Sequence, residues 1–66
     1  MSDLRKLSKD ILSERKEELI QENQEYEKQL VTVHSFLLDA VLHFYIRRNE
    51  SAIHSIDAEL AYRNQQ

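Results

Sequence analysis

Sixty-six residues carrying a formal net charge of −3, with no Cys, Gly, Pro or Trp, exclude several kinds of chemistry at once. Without Cys there is no disulfide frame and no thiolate metal site, and without Gly there is no phosphate-cradling loop. A nucleic-acid-binding domain would be clearly basic, and this chain is mildly acidic.

The same absences point to a fold class. Gly and Pro punctuate turns and disfavour helix interiors, so a chain lacking both and rich in Leu, Glu, Gln, Lys and Arg reads as helix nearly end to end. At this length the whole of residues 1–66 makes one small domain. A single core in so short a chain rarely supplies more than about 3–5 kcal/mol, and no metal or disulfide reinforces it, which leaves association as the remaining route to stability. A reducing cytoplasm is the simplest home for a Cys-free chain, and no signal-peptide pattern opens it.

A first helix is predicted over about residues 3–22. Ser2 and Asp3 suit an N-cap and first turn, and Leu4, Leu7, Ile11, Leu12, Leu19 and Ile20 follow as one narrow apolar stripe. Residues 14–27 hold six glutamates and residues 1–16 hold five of the nine basic groups. On a helix this is a solvated face laced with pairs such as Arg15–Glu18 and Glu25–Lys28, rather than an acidic mimic of nucleic acid. The stretch QENQEYEKQ (21–29) offers only Tyr26 as an apolar group. Either the chain turns near Asn23 or it continues as an exposed rod. Leu12, Leu19, Tyr26 and Val33 recur every seven residues, with Leu30, Leu37 and Phe44 four positions out of phase, a plausible coiled-coil register that Lys9, Lys16 and Asn23 weaken.

A second helix is predicted over about residues 24–47. Within it, LVTVHSFLLDAVLHFYI (30–46) has twelve apolar residues in seventeen. At 100° per residue, Thr32, Ser35, Asp39, His43 and Glu50 share one polar stripe, and nearly all the rest of the circumference is apolar. A membrane span is disfavoured, because Asp39 beside the midpoint and two histidines offset most of what the apolar residues contribute. Burial against another chain is the better use of such a surface. The residues RRNES (47–51) read as a break, with Arg47 and Arg48 at a helix C-terminus, Asn49 as a left-handed cap and Ser51 opening a short third helix over about 51–63. Ile53, Ile56 and Leu60 give that helix its stripe.

Few residues could carry catalysis. Ser35, Asp39 and His43 stand at i, i+4 and i+8, but Asp lies between the other two, and Ser35 and His43 are about 12 Å apart along the axis. Asp39 and His43 are two candidate metal ligands and no more, and His34, His43 and His54 have no ligand spacing. No cofactor and no metal is expected. His34 lies on the apolar arc of the second helix, where a buried imidazole would make an interface sensitive to acid.

The expected protein is all-α, a hairpin or coiled-coil-like arrangement of two or three helices assembling into an intermolecular bundle. Its expected work is binding, as a small regulator, inhibitor or adaptor that associates with itself, most simply as a dimer, and with another protein. Leu30, Val33, His34, Leu37, Leu38, Val41, Phe44 and Tyr45 are the expected interface. A nucleic-acid-associated regulator using Arg47 and Arg48 is the runner-up.

Overall fold

Ser8 starts the first helix. Its backbone is extended, at φ −69° and ψ 160°, and its Oγ accepts a hydrogen bond from the Ile11 N–H at 3.2 Å. That satisfies one of the amide donors a helix N-terminus leaves free, and Asp10 in the first turn complements the helix dipole. In the computed structural model, which describes residues 4–65, α1 runs over Lys9–Thr32 and is preceded by a single 3-10 turn at Leu4–Lys6.

Three β-branched residues in succession, Val31, Thr32 and Val33, end α1. Such residues lose χ1 freedom in a helix, and Thr32 Oγ1 donates back to the Gln29 carbonyl at 3.2 Å. Val33 is extended at φ −79° and ψ 136°, and Ser35 then caps the next helix, its Oγ accepting from the Leu38 N–H at 3.4 Å. The joint is therefore residues 33–35, and α2 follows over Phe36–Asn64. No described residue has positive φ, which is how a Gly-free chain reverses direction here.

The two helices pack antiparallel as an all-α hairpin measuring 48 × 18 × 17 Å. The α2 seam is Leu42, Ile46, Asn49, Ile53, Ile56 and Leu60, an unbroken i+3/i+4 repeat. At the open end Leu12 (0 % exposed), Leu19 and Ile56 form the core, with Leu4, Leu7, Ile53 and Leu60 packed around it. Toward the joint, Leu42 and Ile46 are the buried apolar residues.

A polar layer separates those two apolar segments. Asn49, 3 % exposed, donates through Nδ2 to Asn23 Oδ1 and to Glu22 Oε1, both at 3.0 Å. Asn23 in turn donates to the Ile46 carbonyl at 3.4 Å. Below the core, Arg63 bonds Glu59 at 3.1 Å and the Leu4 carbonyl at 2.9 Å, fastening the 3-10 turn to α2. Lys16 meets Asp57 across the hairpin at 2.6 Å.

Several sequence expectations change. The helix expected over about 3–22 begins at Lys9 and runs on through Asn23, which is buried in the seam rather than placed at a turn, and the helix expected over about 24–47 is divided by residues 33–35 between α1 and α2. The expected break at 47–51 and the separate helix over 51–63 do not exist. Asn49 is helical and buried, and Ser51 lies inside α2, its carbonyl accepting from Ser55 Oγ at 3.1 Å. Arg47 and Arg48 therefore cap no helix end. The capping roles expected of Ser2 and Asp3 lie outside the described residues. The surface pairs Arg15–Glu18 and Glu25–Lys28 are present at 3.9 and 3.3 Å, in exposed positions where such pairs contribute little.

Candidate functional site

The first turns of α2 carry the most unusual surface of the molecule. Ser35 fixes where the helix begins, and that sets its rotation about its own axis. With Leu42 and Ile46 turned into the hairpin, Leu37, Leu38, Val41 and Phe44 are turned out of it, at exposures between 44 % and 75 %. Phe36, at 86 %, stands at the very end of the helix, and Val31 is exposed on the last turn of α1. A sweep of apolar residues too wide for one partner helix leaves an arc uncovered. That arc is the candidate interface.

Beside it an aromatic ledge bridges the helices. Tyr26 of α1 and Tyr45 of α2 stack with ring centroids 5.7 Å apart, and Phe44 meets Tyr45 edge-on at 6.0 Å. The Arg48 guanidinium lies 5.3 Å from the Tyr45 ring centroid, within cation–π range. The Tyr26 hydroxyl donates to Glu22 Oε1 at 2.9 Å, so the ledge is tied to the Asn23–Asn49 layer. Hydrogen bonds from Asn49 and then Tyr26 hold the Glu22 carboxyl below the ordinary carboxylate range. The same bond to Glu22 raises the Tyr26 phenol above its usual range, with burial adding to it. Between ledge and joint lies an open groove of about 650 Å³, its apolar wall made by Val33, Leu38, Val41 and Leu42.

Seven of the eight residues expected at the interface fall into two sets. Leu37, Leu38, Val41 and Phe44 form the exposed arc, while Leu30, Val33 and Tyr45 are half-buried. Val33 and Tyr45 still present edges to the groove. His34 is displaced from its expected place. It belongs to the joint and is exposed, so it occupies no position on a helical arc and is not enclosed between Leu30 and Leu38. Sequence reasoning missed the aromatic ledge and the buried asparagines. The i+3/i+4 repeat from Leu42 to Leu60, running straight through Asn49, is the signal that could have found that buried asparagine, whereas the ledge residues Phe44 and Tyr45 lie outside the repeat.

The polar groups outside the arc do little chemistry together. Ser35 Oγ is engaged by the Leu38 amide, and His43 sits 3.6 Å from Asp39 as a surface pair one turn apart. Among the described residues no three His, Asp or Glu side chains cluster as metal ligands would. Arg47 and Arg48 are exposed in the middle of α2 and edge a shallow trough over Ser51, Ala52 and Ser55. Among the described residues no helix is long and apolar enough to cross a membrane. No protein-family model, curated protein or solved structure matches the chain.

Proposed function

We propose that this chain is a non-enzymatic protein-binding module, a small cytoplasmic regulator, inhibitor or adaptor that acts as an oligomer by laying α2 on a partner's surface. The observation that supports it is the exposed set Leu37, Leu38, Val41 and Phe44 beside a preassembled aromatic ledge. Positions 37, 41 and 44 are the i, i+4, i+7 anchors by which an amphipathic helix enters an apolar groove. Because the arc is carried on a hairpin already held by its own seam, little ordering entropy remains to oppose binding.

A photoactivatable phenylalanine analogue at position 37, introduced in the cells that make the chain, tests the proposal. Discrete adducts are expected, and a Phe44→Glu change should abolish them. Equal trapping from the analogue at Glu17, on the polar side of α1, would refute the reading. The rival reading, a transcriptional regulator contacting nucleic acid, draws on the exposed pair Arg47 and Arg48, but two adjacent cations on a chain of net charge −3 make a small footprint. Its own test is a gel shift that weakens steeply with salt and disappears on replacing both arginines.

A further inference from the structure

We infer that the first occupant of the exposed α2 arc is a second copy of this chain, packed α2 against α2 in antiparallel sense about a two-fold axis near Val41. This rests on the protein-binding reading above and specifies its partner and geometry.

Area supports it. Scaled by their exposures, Phe36, Leu37, Leu38, Val41 and Phe44 present on the order of 500–650 Å² of apolar surface, taking about 150–200 Å² for a large side chain. Each partner at the low end of a standard stable interface contributes about 600 Å². Among the described residues the hairpin's own core holds five buried apolar residues, a small number for a chain with no disulfide to assist it. A symmetric contact would cover in each copy what that core leaves out.

Register supports the antiparallel sense. With a rise of about 1.5 Å per residue, a two-fold near Val41 sets Phe44 opposite Leu38 of the second copy, at the mouth of its groove. Arg48 then lies about 10 Å beyond the axis, over the second copy's joint. Farther along the same face α2 presents Ser51, Ala52 and Ser55, which offer no apolar anchor, so the contact stops and the pair closes on itself.

The chain contains no Cys, so one introduced thiol reports the geometry cleanly. Under mild oxidation Val41→Cys should form a covalent dimer at least tenfold faster than Ser55→Cys, whose two copies would lie about 40 Å apart in this arrangement. Sedimentation equilibrium of the unmodified chain at micromolar concentration should return the mass of a dimer, and Phe44→Glu should raise the dissociation constant at least tenfold. A folded monomer throughout that range overturns the inference. So does a dimer that crosslinks as fast through position 55 as through 41. If the purified chain is monomeric while the position-37 analogue traps a heavier protein in cells, the arc binds something else, and the protein-binding reading survives without its oligomeric part.

Discussion

Replacing Asn49 with alanine strikes the polar layer where it is least accessible to water. The substitution removes the donor to Asn23 Oδ1 at 3.0 Å, and the stranded oxygen belongs to a residue only 8 % exposed. A neutral hydrogen bond contributes about 1 kcal/mol net, and leaving its buried partner unsatisfied costs about 1–2 kcal/mol more. The second bond, to Glu22, lies at the solvent edge, and no share of the loss is assigned to it. The expected destabilisation is thus about 2–3 kcal/mol, a large part of what so small a domain has. Urea unfolding followed by far-ultraviolet circular dichroism, at one fixed chain concentration, should show the midpoint fall by about 2–3 M, given a slope near 1 kcal/mol/M for a short chain. The companion variant replaces Asn23 and Asn49 together with leucine. Both polar groups then leave at once, no orphan remains, and stability should return to the parent value or exceed it. The double-mutant cycle should report a coupling of at least about 1 kcal/mol. An Asn49→Ala loss below about 0.5 kcal/mol, or losses that simply add in the double leucine variant, would refute this account of the layer.

Three further outcomes follow from the described contacts. Glu22 has a folded-state acidity held below its ordinary value of 4.5 by Asn49 and Tyr26, so the stability it supplies is complete above that value and is lost as pH falls through the lowered one. Glu22→Gln should therefore flatten the acid limb of the unfolding midpoint against pH, and parallel curves for the two proteins would count against it. Leu12→Ala, at a fully buried position, should cost about 2–4 kcal/mol in thermal or urea unfolding, against less than about 1 kcal/mol for the half-exposed Ile11→Ala; equal losses would place the core elsewhere. Ser35→Ala should cost about 1 kcal/mol by uncapping α2, with faster amide exchange at Leu38, whereas Ser35→Asp should hold or gain stability through the helix dipole. Unchanged exchange at Leu38 in the alanine variant would show that the cap is dispensable.

The helical class and the seam of α1 were legible in the sequence because both rest on local periodicity. Leu12 and Leu19 are buried where the seven-residue repeat places them, and Tyr26 and Val33 continue it half-buried. The companion series Leu30, Leu37 and Phe44 fails at its second member, because a non-helical joint at residues 33–35 resets the phase between Leu30 and Leu37. The joint itself was obscured by hydrophobicity. Val31, Thr32 and Val33 are weak helix formers, but they sit inside an apolar run that reads as a single helix. Asn23 and Asn49 misled in the opposite direction. Each alone resembles a break, and only their pairing across 26 residues of chain makes both of them helical and buried. The apolar character of the arc was legible in the sequence, while which of its residues stay exposed depended on how α2 turns Leu42 and Ile46 into the hairpin.

The position of the joint also governs how the molecule comes together in time. Contacts near it, such as Tyr26 on Tyr45, close a short loop, whereas the bond from Arg63 to the Leu4 carbonyl spans 59 positions. Closing that longest loop directly from the unfolded chain costs about 1 kcal/mol more in entropy than closing the tyrosine pair. Once the tyrosines have met, each later contact closes only a small additional ring. Loop-closure entropy alone thus favours pairing that begins near the joint and extends toward the termini. Synthesis from the N-terminus sharpens the asymmetry. The polar α1 is made before the apolar turns of α2 appear, so Leu42 and Ile46 emerge after the segment they pack against, while Leu37, Leu38, Val41 and Phe44 find no cover on it.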